Sequence, residues 1–310
     1  MKQHTYICSQ PRNGSTLLSL LLGSHPSVIS VGELNLFGEM LRTNASCSCG
    51  APIRECSFWH EIIELLGPGI PADPGFDPDT FHTQRFSFNY PDHFGSRLIS
   101  DIYLKSLNHQ NTWLAALAAA FPGTFPFDAN RAAENHKKVV EKIFTHLGQQ
   151  DVVVLDSTKT TNRLLELLPK SYGAMKVIVL LRDGRGSVNS YLKSGDDSFE
   201  KVASSWKYHM EKQIKALSGI KDELKLTIKY EDLCENPETV LSRICRFLNI
   251  PYDGLMLEFI GPFHSLGGNY PAYRRNSISL DNEWERKLKA DQLALFDKIG
   301  GDTNRMNGYC

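Results

Sequence analysis

The sequence predicts an α/β fold of three layers, a central and mostly parallel sheet flanked by helices. Two observations carry this. Short apolar, β-branched runs alternate with longer stretches of helical periodicity, the pattern of strands joined by crossover helices. One such run, Val177 to Leu181, is apolar at five consecutive positions, as a parallel strand buried on both faces should be. A chain of 310 residues with 41% apolar and 22% charged side chains can bury a large core as one domain. We therefore expect a single domain over residues 1–310, with an insertion at about 45–135.

The elements follow in chain order. Strands are expected at His4–Cys8, Val152–Leu155, Lys176–Leu181 and Lys225–Lys229. Helices are expected at Ser15–Ser24, Leu34–Leu41, Phe58–Leu66, Arg97–Ala120, Ala129–Leu147, Thr161–Leu168, Ser187–Lys193, Ser198–Leu217, Pro237–Leu248 and Asn282–Lys298. Residues 67–95 hold Pro68, Pro71, Pro74, Pro78 and Pro91 with Gly67, Gly69 and Gly75 around Phe76, Phe81, Phe86, Phe88 and Tyr90. Such a stretch is a long loop with apolar content, either a lid or binding wall or a strap packed on the core. No internal repeat or low-complexity linker interrupts the chain.

The opening segment carries the first functional signal. The strand His4–Cys8 runs into Ser9-Gln10-Pro11-Arg12-Asn13-Gly14-Ser15-Thr16 and then into the apolar run Leu17–Leu22. Strand, small-residue loop and helix make a P-loop-like anion cradle, in which loop N–H groups and the positive end of the helix face the ligand. Gly14 permits close approach, and Ser15 and Thr16 add hydroxyl donors. The Walker pattern requires Lys directly before the hydroxyl residue. Here that position is Gly14, and the cation is Arg12. The alternative is a ligand-free helix cap by Ser15 or Thr16.

The second signal follows the buried run. Arg182 stands at the carboxyl end of that strand, Asp183 to Gly186 form a turn, and Ser190 lies in the first turn of the next helix. Ligands of open α/β sheets sit at such strand ends, so Arg182 and Ser190 can close on one phosphate. The alternative is a surface salt-bridge cluster of Arg182, Asp183 and Arg185.

At these residues the chain resembles the sulfotransferases that use 3′-phosphoadenosine 5′-phosphosulfate (PAPS), in their bacterial-type and tyrosylprotein-type branches. Pro11-Arg12-Asn13-Gly14-Ser15-Thr16-Leu17-Leu18 is similar to their 5′-phosphosulfate loop. Arg182 with Ser190 has the spacing of their 3′-phosphate site. Tyr230-Glu231-Asp232-Leu233, Asp156-Ser157-Thr158-Lys159, and Gly267-Gly268-Asn269 with Arg274, Arg275 and Trp284 resemble further segments, in family order.

The resemblance implies transfer of the sulfuryl group of PAPS to an acceptor hydroxyl, giving 3′-phosphoadenosine 5′-phosphate (PAP) and a sulfate ester. The acceptor would be a carbohydrate, glycolipid or small natural product, and the insertion would be an acceptor-binding lid. It implies a donor grip by Arg12, Asn13, Gly14, Ser15, Thr16, Arg182, Ser190, Tyr230, Arg274 and Arg275. Arg12 and Lys159 would supply charge at the transferring group, and Glu33, in Val31-Gly32-Glu33-Leu34, is the candidate base. Glu33 departs from the family's Gly-Glu-Glu pattern and can instead cap the following helix; Glu39 is the reserve. Lys159 has a solvated-surface alternative, and Tyr230 a structural one. Two other readings stay open, a P-loop nucleotide kinase and a catalytically inactive PAP-binding relative.

A net charge of −1 without basic runs argues against nucleic-acid partners. No apolar run reaches bilayer-spanning length and no leader pattern opens the chain, so the expectation is a soluble, cytoplasmic protein. A homodimer is left open. Cys47-Ser48-Cys49-Gly50 with Cys56 offers three local thiols, and His60 is the nearest histidine in sequence. A structural zinc normally takes four ligands, and a disulfide requires an oxidising compartment. Similar Cys-x-Cys-Gly runs occur in bacterial-type sulfotransferases, so the resemblance implies a loop brace and no metal is expected, with a disulfide or a metal site as the open alternatives.

Overall fold

The computed structural model describes residues 2–67, 129–148, 151–170, 175–193, 195, 197–261, 263–268 and 277–310. The expected helix Arg97–Ala120, the Pro/Gly-rich stretch 68–95, Asn269, Arg274 and Arg275 lie outside these residues.

Among the described residues five parallel strands form one sheet. They are β1 (Lys2–Ser9), β2 (Val28–Gly32), β3 (Val152–Lys159), β4 (Lys176–Leu181) and β5 (Lys225–Lys229), in the spatial order β2-β3-β1-β4-β5. β1 is therefore central, with Lys2 opposite Val152 on one side and Thr5 opposite Lys176 on the other. The helices are α1 (Ser15–Gly23), α2 (Phe37–Thr43), α3 (Ser57–Leu66), α4 (Ala129–Leu147), α5 (Thr161–Leu167), α6 (Gly184–Leu192), α7 (Phe199–Leu217), α8 (Tyr230–Glu235), α9 (Pro237–Leu248), α10 (Trp284–Lys287) and α11 (Ala290–Met306).

The alternation of strands makes the layers. On one face Ile7, Leu155, Ile178, Leu180 and Ile228 pack with α1 and α9 through Leu18, Leu21, Leu241 and Ile244. On the other face Tyr6, Cys8, Val177 and Val179 pack with Trp206, Met210 and Phe296 of α7 and α11. A third cluster joins Phe37, Trp59, Ile62 and Ile143 at the β2–β3 edge.

The expected strands and most of the expected helices within the described residues are present. Three differences have local causes. β2 is an additional strand. Its five residues include Ser30 and end at Gly32, so no long β-branched run announces it. α6 begins at Gly184 rather than Ser187, because the Asp183 side chain caps it by accepting from Arg185 N. The expected helix Asn282–Lys298 is two helices, broken where Leu288 becomes extended (ψ 128°).

Candidate active site

All five strands point their carboxyl ends the same way, so the loops after β1, β2, β3 and β4 meet along one rim of the sheet. Gly14 is the N-cap of α1, held at φ +90°, and no side chain caps that helix. The capping alternative for Ser15 and Thr16 is thus not realised, and the first-turn N–H groups are left to the loop. A Cβ on Gly14 would lie 2.4 Å from Cδ2 of Tyr230. The position where a Walker loop carries lysine has room for glycine alone. Ser15 is buried, Thr16 half-buried and Arg12 exposed, the last in left-handed backbone at φ +68°.

Asn13 faces inward. Its Nδ2 donates to Leu180 O at 3.3 Å, and its Oδ1 accepts from Ser187 Oγ at 2.8 Å. This side chain anchors the loop to β4 and α6 and leaves the Asn13 backbone to the loop's anion-facing side.

Arg182 is buried beside the same loop. One guanidinium nitrogen donates to Arg12 O at 2.8 Å, and another donates to Asp281 O at 2.6 Å and sits 3.2 Å from Asp281 Oδ2. The guanidinium lies over the Tyr230 ring, 4.6 Å from its centroid. Burial opposes ionisation of Asp281, but Arg182 and then Lys193 outweigh it and hold its carboxyl below the usual range. The surface-cluster alternative applies to Arg185, which pairs with Asp183 at 2.5 Å and stacks on Trp284 at 4.2 Å. Arg182 turns the other way.

Tyr230 opens α8 and is buried between Gly14 and Arg182, donating to Ser279 O at 3.3 Å and accepting from Asp281 N at 3.0 Å. Burial pushes its hydroxyl up to about 12. In this arrangement it supports the loop. Ser190 is half-buried and, because α6 starts early, falls in the second turn of that helix rather than the first.

The other half of the site lies after β2 and β3. Lys159 Nζ donates to Glu33 Oε1 at 2.5 Å, with both side chains mostly covered. The turn that aims Lys159 is built from Asp156, whose Oδ1 accepts from Thr158 N at 2.8 Å and from Thr158 Oγ1 at 2.6 Å. Thr160 N then closes on Thr158 O at 2.9 Å around Lys159, which sits at φ +73°. A non-glycine residue so placed is strained and needs such over-determination. Asp156 is fully buried. Burial would raise its carboxyl, but His136, with Nε2 at 2.9 Å, and His4 pull it well below the ordinary range.

Glu33 occupies the N-cap position of a single 3₁₀ turn, Leu34–Leu36, yet makes no side-chain capping bond. The turn is pinned by Asn35 N donating to Thr158 Oγ1 at 3.2 Å. Glu39 instead pairs with Arg42 at 2.5 Å on α2, and both are exposed. Asp281, not singled out from sequence, and the turn inside the Asp156–Lys159 segment complete the site. The latter has a legible signal, an Asp two residues before a Thr at a strand end; Asp281 has none.

A model of the sulfotransferase family matches residues 103–254. Over those residues, just under half of its length, the chain is similar to the sulfotransferase family. It is 29% identical over 169 residues to protein-tyrosine sulfotransferase A of Caenorhabditis elegans, a stretch covering 49% of this chain and 42% of that one. The chain thus matches less than half the length of that relative. Among solved structures, it is similar to the sulfotransferase domain from the curacin biosynthetic pathway, with TM-score 0.55, 18% identity, and 100% and 99% of the two chains covered. It is also similar to mouse sulfotransferase SULT7A1 complexed with PAP, with TM-score 0.50, 9% identity, and 99% and 89% covered. These structural likenesses establish the shared fold. Among the described residues no helix is long and apolar enough to cross a membrane.

Proposed function

We propose that this chain transfers the sulfuryl group of PAPS to an acceptor hydroxyl. The observation that carries the reading is the pairing, along one rim of the sheet, of an uncapped helix N-terminus behind Gly14 with the Lys159–Glu33 pair. The first suits a donor's 5′-phosphosulfate. The second suits proton removal from an acceptor beside a fixed cation.

The roles follow from position. Backbone N–H groups of Gly14, Ser15 and Thr16 and the hydroxyls of Ser15 and Thr16 hold the donor phosphate. Arg182 and Ser190 hold the 3′-phosphate, with Arg275 or Arg274 as the further cation. Glu33 takes the acceptor's proton as the new oxygen–sulfur bond forms. The bond from sulfur to the bridging oxygen breaks, and its electron pair leaves with PAP. Arg12 and Lys159 stabilise the charge that builds on that oxygen. Lys159 also holds the Glu33 carboxylate in place through their 2.5 Å contact.

The acceptor reading remains a carbohydrate, glycolipid or small natural product, and a cytoplasmic setting is part of the proposal. The kinase reading is disfavoured by Gly14, where a lysine side chain would collide with Tyr230. Calorimetry with PAP and with Mg-ATP tests the donor. Transfer of labelled sulfate to an acceptor panel that includes peptidyl tyrosine tests the reaction. Tight binding of Mg-ATP without binding of PAP overturns the proposal, and PAP binding without any transfer favours the inactive relative.

A further inference from the structure

We propose that Cys47, Cys49, Cys56 and His264 form a zinc site of the Cys₃His type that braces the outer edge of the sheet. The sequence offers only the three thiols, because the fourth ligand arrives from 208 residues beyond Cys56. In the fold the four ligand atoms all lie within 4.8 Å of one another.

The separations suit a tetrahedron. Zinc binds sulfur at about 2.3 Å and imidazole nitrogen at about 2.0–2.1 Å, which sets sulfur–sulfur edges near 3.8 Å and sulfur–nitrogen edges near 3.5 Å. Cys49 Sγ and Cys56 Sγ are 3.7 Å apart, and Cys56 Sγ is 3.2 Å from His264 Nδ1. A disulfide between Cys49 and Cys56 would need about 2.05 Å between sulfurs and would leave Cys47 and His264 without a role.

The backbone around the ligands is built to hold them. Gly50 N closes a turn on Cys47 O at 2.9 Å, with Gly50 at φ +94°, so Cys47 and Cys49 share one tight loop. Cys56 is the N-cap of α3, at the positive end of that helix. The His264 strap is tied from both sides. Ser48 Oγ donates to Phe263 O at 2.8 Å and accepts from Ser265 N at 2.8 Å, while Trp59 Nε1 donates to His264 O at 2.7 Å. Phe58 stacks on the His264 ring, with centroids 5.4 Å apart and an interplanar angle of 15°. Imidazole ligands are oriented by such surroundings. Four protein ligands leave no open position, so the metal's role is structural.

The brace reaches the candidate base. Next to His264 in the strap, Leu266 donates to Val31 O at 2.9 Å and accepts from Glu33 N at 2.7 Å. Zinc would thus fasten the α2–α3 loop to the segment that positions Glu33, whatever reaction Glu33 serves.

The test is elemental analysis of protein purified in reductant without chelator. The expected result is about one zinc per chain, falling severalfold in Cys56→Ser and in His264→Ala. Because Cys49 is exposed, Cys49→Ser should fold, and its cobalt(II)-substituted form should show weaker thiolate-to-metal absorption than the wild type. Chelator should lower the melting temperature of the wild type and leave that of His264→Ala unchanged. Thiol titration of the chelated, denatured chain without reductant should count all seven cysteines. Retention of no zinc together with an octahedral cobalt(II) spectrum overturns the proposal. A count two thiols short, with Cys49 and Cys56 disulfide-linked, does so as well.

Discussion

Gly14 offers the sharpest test of how the donor loop is built. Gly14→Ala makes two changes at once. An L-residue in left-handed backbone costs about 1–2 kcal/mol, and Gly14 sits at φ +90°. The new Cβ would also fall 2.4 Å and 2.8 Å from two carbons of the Tyr230 ring, so the ring or the loop must move. Overpacking of this kind costs about 1–3 kcal/mol. The sum is roughly 2–5 kcal/mol. Gly148→Ala is the control. It too has positive φ, +59°, but nothing lies within 4 Å of its new Cβ, so it should show only the backbone part. Urea unfolding of both variants measures the difference, and calorimetry with PAP measures the loop. Because Tyr230 also supports Arg182, PAP affinity should fall for Gly14→Ala and stay unchanged for Gly148→Ala. Equal destabilisation of the two, with PAP binding intact in both, would refute the claim that the loop's shape depends on Tyr230.

Three further outcomes are expected. Glu33→Gln should lower turnover by about 10²–10⁴ with PAP affinity near wild type, the usual range for a lost general base; normal turnover in Glu33→Gln alongside a collapse in Glu39→Gln would move the base to α2. Arg182→Ala should weaken PAP by about 1.5–3 kcal/mol and adenosine 5′-phosphosulfate much less, whereas Asp281→Asn, which removes a carboxylate 3.2 Å from that guanidinium, should tighten PAP; equal losses of both ligands in Arg182→Ala, or weaker PAP in Asp281→Asn, argue against a 3′-phosphate at Arg182. Burial, and then Lys212, lower His209 from 6.5 to about 4, so the unfolded chain binds more protons than the folded one between those values; stability should be full above about pH 6.5 and fall toward pH 4 by up to about 1.4 kcal/mol per pH unit, and urea midpoints that do not drop between pH 7 and about 5.5 would contradict this.

The sequence made the central strands legible because buried parallel strands must be continuously apolar, and Lys176–Leu181 is the clearest instance. It made the donor loop legible because strand, small residues and helix are local in the chain. It did not reveal β2, whose Ser30 and Gly32 interrupt any apolar pattern and which is a strand only because β3 pairs with it. The early start of α6 was hidden because Asp183 reads equally well as a turn residue and as a cap. Asn13 looked like a ligand-facing loop residue, yet its amide matches the free carbonyl of Leu180 and the hydroxyl of Ser187. His264 and Asp281 were out of reach for a simpler reason. Their partners, Cys56 and Arg182, lie 208 and 99 residues away, and only the fold brings them together.

The position of β1 at the centre of the sheet bears on how the chain reaches this state. Its hydrogen-bonded neighbours are made long after it: Val152 follows Lys2 by 150 residues, and Lys176 follows Thr5 by 171. At about 5–20 residues per second, the ribosome displays Tyr6, Ile7 and Cys8 for roughly 8–34 s before β3 and β4 exist. During that interval the central strand of the finished sheet is an unpaired, apolar edge. Loop closure over such distances is also slow, since its entropy is lost before the sheet contacts form. Shielding of the nascent N-terminal segment, and not the stability of the completed sheet, is therefore what should limit the yield of folded protein during synthesis.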